Sequence, residues 1–169
     1  GRSGAGLPRC RQRRRGDALG VFRPVAAGAE HLFDDVAHGP FAAPELRDVT
    51  RSLDHFGRGV GPALRVYDTQ PELLRGAEVC DTIVGKAAAA IYILAGASGV
   101  YAETMSAAAV DFLTANGVAC ACHTKTEKLL NRQGTGLCPF EQAVLELQKP
   151  EDCLPVIRQT LARLMAGKK

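Results

Sequence analysis

Apolar residues recur along this chain at a helical period in some stretches and in short extended runs in others, and the changeovers predict an α/β arrangement. Leu46, Val49, Leu53 and Phe56 stand three or four residues apart, which predicts a helix over 45–56. Pro44 suits its first turn, and the glycines from Gly57 to Gly61 end it. Residues 62–67 are ambiguous between strand and helix and are read as helix. Further on, Asp81 has the chemistry of an N-cap. After it Ile83, Val84, Ala87, Ala88, Ile91, Leu94 and Ala95 cover most faces before Gly96, so the pattern predicts a buried helix that is apolar nearly all round.

Residues 99–103 read as a strand, Ser106 caps a helix through Ala115, Asn116-Gly117 ends it, and 118–122 read as the next strand. So compact a β-α-β unit implies parallel strands and a right-handed crossover. A capping-box pattern at Thr124-x-x-Glu127 predicts a short helix through Leu130. A glycine-bearing loop follows, then helices over about 139–147 and 151–165, with Pro155 restricting or kinking the first turns of the last one. Residues 1–43 show no sustained period and are expected to be tail and linker, with at most a short element near 31–36. The fold is expected to occupy residues 44–169 as one domain.

Composition agrees with a single ordinary core. The 169 residues are 46% hydrophobic and 23% charged. Charge is unevenly spread: residues 1–23 hold seven Arg and one Asp, a net of +6, so the chain's +3 leaves −3 for residues 24–169. Such a basic arm could meet nucleic acid or an anionic membrane. Its Gly- and Arg-rich composition, with almost nothing to bury, makes a solvated tail the expected state. Nucleic-acid binding ranks last, because the body is acidic and three Tyr, six Phe and no Trp offer little for stacking. With no run of 18 apolar residues and no apolar signal core, no membrane partner is expected and the location is expected to be cytoplasmic.

Six cysteines scattered through a chain of this size are expected to be reduced. Cys120-Ala121-Cys122-His123 comes closest to a metal pattern but lacks a second ligand pair. In a strand Cys120 and Cys122 share a face and are read as buried small hydrophobes. Neither a metal nor a cofactor is expected.

Candidate chemistry concentrates between Asn131 and Glu141. With Pro139 as first helical residue, Cys138 becomes the N-cap and Glu141 the third helical position, where a carboxylate can cap orphan amides. Free amides and the helix dipole give a thiol at Cys138 the surroundings of a nucleophile. The Gly134-Thr135-Gly136 turn lets a ligand approach the backbone, with Arg132 beside it to hold an anion. Lys86, near the start of the alanine-rich helix, is an ammonium in apolar surroundings. The plainer reading of the same residues is that Cys138 and Glu141 cap a helix, the glycines set a turn and Lys86 snorkels.

From about residue 58 to 164 the chain resembles a family of uncharacterised bacterial and archaeal proteins placed in the cytidine-deaminase-like superfamily. The resemblance rests on Arg58-Gly59-Val60, Asp81 with Val84-Gly85-Lys86-Ala87-Ala88, Val100-Tyr101-Ala102, Met105-Ser106, and Asn131-Arg132 through Glu141. It implies an α/β fold, a three-layer α-β-α sandwich around a mixed sheet. Asp81, Lys86, Asn131, Arg132, Thr135, Cys138 and Glu141 match the family's characteristic polar positions. Family members usually begin with a helix and a β-hairpin, whereas residues 24–57 show no alternating pair. The hairpin is therefore expected to be incomplete, and an unpaired sheet edge would favour a homodimer.

Zinc-dependent deamination needs a His or Cys two residues before a Glu, and a later Cys-x-x-Cys pair. The chain has no His-x-Glu, Cys-x-Glu or Cys-x-x-Cys. The expected function is a zinc-independent pocket for a nucleotide-like or small anionic ligand. Lys86, Cys138 and Glu141 are its candidate catalytic residues, and Asp81, Asn131, Arg132, Gly134, Thr135 and Gly136 its candidate ligand contacts. The alternative is a noncatalytic interaction or scaffold domain, and zinc-dependent deamination ranks below both.

Overall fold

The computed structural model describes residues 59–131 and 133–167 in full, and residues 19–22 and 51–52 as backbone. In chain order the elements are β1 (Leu19–Phe22), β2 (Arg51–Ser52), α1 (Gly61–Thr69), a 3-10 turn (Pro71–Leu73), β3 (Glu78–Val84), α2 (Lys86–Leu94), β4 (Gly99–Ser106), α3 (Ala107–Ala115), β5 (Ala119–Thr126), α4 (Pro139–Val144) and α5 (Pro150–Ala166). The strands form one sheet in the order β2-β1-β3-β4-β5.

The body of that sheet, β3-β4-β5, is wholly parallel rather than mixed, with Val79 beside Val100 and Val100 beside Cys120. Parallel pairing of β4 and β5 follows the β-α-β reading, because α3 carries the chain back over the sheet before β5 begins. Antiparallel pairing is confined to one edge, where β1 lies against β3 and β2 against β1. β1 comes from the stretch expected to be tail and linker, and the edge of β3 is covered where an incomplete hairpin was expected. The helix expected over 45–56 lies largely outside the described residues, and Arg51–Ser52 within it is strand. The short element expected near 31–36 also lies outside them.

Two further expectations are overturned. Asp81 does not cap a helix: it stands inside β3, and α2 begins five residues later at Lys86. Thr82, Ile83 and Val84 are β-branched and sit in an extended run, which a helical reading of the apolar positions absorbed. The Thr124-x-x-Glu127 pattern opens no helix either, since β5 runs on through Thr126 paired with β4. Strand pairing there outweighs a local cap that no apolar face would reward.

Elsewhere helical reading and structure agree. α1 covers the ambiguous 62–67 stretch. Ser106 is the N-cap of α3, accepting from Ala109 N at 3.2 Å. The last helix is present as α5, a single element with Pro155 inside it where a restriction or kink was expected.

The core is built around α2. Its residues from Lys86 to Tyr92 are all buried, and α1, α3, α4 and α5 all pack against it. Four consecutive alanines, Ala87 to Ala90, favour helix and let neighbouring backbones come close. Tyr92, Ile91, Leu113, Met105 and Ile157 fill the space between the elements. Burial of each of these large side chains is worth roughly 1.5–3 kcal/mol. No helix among the described residues is long and apolar enough to cross a membrane.

At the surface, Arg158 of α5 grips Asp68 of α1 through two hydrogen bonds of 2.8 and 2.5 Å. The Arg158 hydrogen bond holds the Asp68 carboxyl below its ordinary range. A carboxyl lowered on folding adds stability above its unfolded pKa and loses it as pH falls through the folded value. Because both side chains are more than one-third exposed, the pair is worth at most about 1 kcal/mol. Asp68→Asn is expected to lower the urea midpoint slightly at pH 7, with the gap to wild type closing below about pH 4. Ser106→Ala removes a fully buried cap and is expected to cost about 1 kcal/mol, lowering Tm by roughly 2–4 °C in a thermal melt.

Candidate functional site

Burying α2 on all sides creates a problem at its first turn, where the leading amides have no partner within the helix. Its N-cap is Gly85, in extended backbone (φ −99°, ψ 176°), and a glycine has no side chain to supply a cap. The acceptor comes instead from α4: Lys86 N donates to Glu141 Oε2 at 2.7 Å. A Cβ on Gly85 would collide with that same oxygen and stand 2.8 Å from Leu129 Cδ1. The glycine is therefore required for close approach, not for an unusual φ.

The favour is returned at the other end of α4. Lys86 Nζ donates to the carbonyl of Leu145, the C-cap residue of α4, at 2.6 Å. It also lies 4.9 Å from the centre of the Phe112 ring. Carboxylate at a helix N-terminus and ammonium at a helix C-terminus each match the local dipole, and the ring face adds a cation–π attraction. Lys86 and Glu141 are 6% and 3% exposed, so both charges are held almost free of water. Each serves a backbone group at the end of the other's helix, Glu141 the Lys86 amide and Lys86 the Leu145 carbonyl; no Lys86–Glu141 side-chain ion pair occurs among the described residues, where Arg158–Asp68 is the ion pair present. Nor does any described hydrogen bond reach Glu141 Oε1.

The glycine loop forms a second cluster. Leu130 and Leu137 bridge as an antiparallel pair, Cys138 N donates to Leu129 O at 2.8 Å, and Asn131 N donates to Gly136 O at 2.8 Å. Inside this small hairpin Gly134 N donates to Asn131 O at 3.0 Å, and Thr135 N to Asn131 Oδ1 at 3.0 Å. Asn131 Nδ2 closes the ring onto Thr135 Oγ1 at 3.1 Å. Gly134 holds φ +69°, the left-handed conformation that the turn demands. The amides expected to hold an anion thus include two that are already spent on Asn131. Arg132 lies outside the described residues.

A family model described as TM1506, a domain of unknown function (DUF1893), matches residues 47–161. The chain belongs to the DUF1893 family. A crystal structure of a DUF1893 protein (TM1506) from Thermotoga maritima is similar to it, with a TM-score of 0.57 and 28% identity over 65% of this chain and 72% of that one. No curated protein gives a significant match.

The remaining candidates of this DUF1893 chain fall apart from the Lys86–Glu141 pair in differing degrees. Cys138 is the N-cap of α4, half-buried, with no side-chain cap bond, and joins the loop to the helix that carries Glu141. Asp81 goes elsewhere: its Oδ2 accepts from the hydroxyl of the fully buried Tyr92 at 2.6 Å, and its Oδ1 from Thr82 N at 2.7 Å. Sequence reasoning missed Tyr92, Phe112 and the Leu145 carbonyl. The first two look like ordinary core aromatics, and a backbone carbonyl carries no sequence signal at all. Gly85 was legible only as part of a motif.

Burial pushes the Cys120, Cys122 and Cys153 thiols up, with Lys86 partly offsetting this at Cys153. These three and Cys138 are free, as expected of reduced thiols, whereas Cys80 is in a disulfide, against that expectation. Spacing along a chain does not reveal which thiols meet across a fold. Among the described residues no group of three or more His, Cys, Asp or Glu is placed to hold a metal ion.

Gly85→Ala is expected to drive Glu141 off the Lys86 amide and cost about 2 kcal/mol or more in urea unfolding. Glu141→Ala should cost a similar amount, Glu141→Gln less because an acceptor is kept. The Gly85→Ala/Glu141→Ala double variant should be markedly less destabilised than the sum of the two, which a double-mutant cycle reads directly.

Proposed function

We propose that this chain is a zinc-independent small-molecule-binding domain of cytidine-deaminase-like, three-layer α-β-α type, taking a nucleotide-like ligand at the carboxyl ends of β3, β4 and β5. The observation that carries the proposal is the buried Lys86–Glu141 pair, which stands at the start of α2, immediately beyond the carboxyl end of β3. Open α/β sheets bind ligands outside the carboxyl ends of their strands. Buried charges that are only partly engaged are costly and are kept where they serve a site. Glu141 retains an oxygen with no described partner, and Lys86 retains donor capacity beyond its single bond to Leu145 O.

In this reading Lys86 and Glu141 form the polar centre. Cys138 is the candidate nucleophile and Glu141 the candidate proton carrier of any covalent step. Asp81 orients Tyr92 rather than ligand. A simple anion held by the loop is the weaker version, because Gly134 N and Thr135 N already serve Asn131. That same closed loop favours the second reading, a noncatalytic interaction domain whose polar cluster is structural.

A thermal-shift panel of nucleosides, nucleotides and inorganic phosphate tests the choice. A nucleoside or nucleotide near 100 times its Kd is expected to raise the wild-type midpoint by several degrees. The shift should be lost in Lys86→Met and retained in Cys138→Ser, and phosphate alone should give none. A full shift with phosphate alone would return Arg132 and the loop to the centre of the site. No shift from any of them would favour the interaction domain.

A further inference from the structure

Ile83 is 55% exposed although it belongs to β3, a strand with neighbours on both sides. Among the described residues β1 pairs with β3 as far as Asp81, two residues before Ile83. Across the sheet it stands in register with Thr104 of β4, which stands in register with Thr124 of β5. Register partners share a face, at about 4.8 Å spacing, so the three side chains form one short row at the carboxyl end of the parallel strands. Neither threonine makes a side-chain hydrogen bond among the described residues, and Thr124 is exposed.

The face is identified by Asp81, two residues before Ile83, whose carboxylate meets Tyr92 of α2. Two residues after Ile83 comes Gly85, still extended, so its missing side chain would fall on that face as well. Glu141 fills that place, since its Oε2 is where a Gly85 Cβ would collide. Along β3 the succession on this face is therefore Asp81, Ile83, then the Glu141 carboxylate, with about 6–7 Å between steps. An open apolar step lies beside a buried carboxylate that has one oxygen without a described partner.

We infer that the ligand carries a flat ring with an N–H donor edge, lying on the Ile83–Thr104–Thr124 row with its donors turned to Glu141, and that the edge it presents there is not anionic. This rests on the small-molecule reading above and adds the ligand's chemistry to it. An isoleucine followed across the sheet by two threonines offers a flat, mainly apolar floor, which suits the face of an aromatic ring. A buried acceptor demands a donor, and leaving it unmet costs the full desolvation of that group. Carboxylates and phosphates bring only further acceptors to Glu141, while the first amide of α2 that could have received them is already occupied.

Benzamidine and benzoate share a ring and present opposite edges, and cytidine and inorganic phosphate extend the comparison to a neutral amino edge and a bare anion. Affinities for all four are measured by titration calorimetry on wild type, Ile83→Ala and Glu141→Gln. Wild type is expected to bind benzamidine and cytidine, and benzoate and phosphate at least tenfold more weakly. Ile83→Ala, an exposed position that the fold tolerates, should weaken both ring ligands about fivefold through lost apolar contact. Glu141→Gln keeps the bond to Lys86 N but turns the free acceptor into a donor, so the benzamidine-to-benzoate preference should fall at least tenfold. Benzoate or phosphate binding wild type as tightly as benzamidine would overturn the inference and leave a small-molecule site standing. Affinities unchanged in both variants would do the same. Failure of all four to bind also overturns it, and a nucleotide shift in the broader panel would then show a site that reads some other feature.

Discussion

The contact on which the rest of the structure depends is the reciprocal clasp between α2 and α4. Glu141 of α4 accepts from the first amide of α2, and Lys86 of α2 donates to the carbonyl that closes α4. A helix enclosed on every side has no water to satisfy its ends, so its partners must come from within the protein. α4, at six residues, is too short to stand by its own propensity and depends on such contacts in turn. Gly85 is the position that makes the arrangement fit, because any side chain there would occupy the carboxylate's place. Two charges at most 6% exposed are held by backbone groups rather than by each other, which ties the helices through their ends.

Much of the fold was legible where one periodicity ran unopposed. The strand–helix–strand succession from β4 to β5 was readable because Ser106 and Asn116-Gly117 punctuate it cleanly, and α5 because its apolar stripe extends over four turns. The boundary between β3 and α2 was not. Ile83 and Val84 are apolar and continue in phase with Ala87 and Ala88, so a helical template accepts them, and only pairing with β4 shows that they are extended. β1 and β2, of four and two residues, are too short to carry an alternation and exist through their neighbours.

For the candidate site, residue types were more legible than partnerships. Lys86 and Glu141 were singled out separately, one as an ammonium in apolar surroundings and the other as a cap for its own helix; the structure joins them across 55 residues of sequence. The Asn131–Gly136 turn was read as a cradle for a ligand, yet the asparagine uses the neighbouring amides itself, a local competition that short polar side chains often win. Ile83 attracted no attention as chemistry because an isoleucine in an apolar run is ordinarily core. In β3 it is 55% exposed, in register with Thr104 across the sheet, and neither fact can be read from the run itself.

The distance in sequence between the halves of the clasp has a bearing on how the molecule is made. During synthesis the N-terminal part of a domain leaves the ribosome first. The whole β3-α2-β4-α3-β5 run can therefore emerge and begin to pair while Glu141 and Leu145 are still unmade. Until they arrive, the most buried helix of the native protein has an uncovered flank and an unanswered leading amide, and long-range closures of this kind are the slow steps of folding. The last few dozen residues thus act as an intramolecular keystone, and a nascent chain without them is held in waiting.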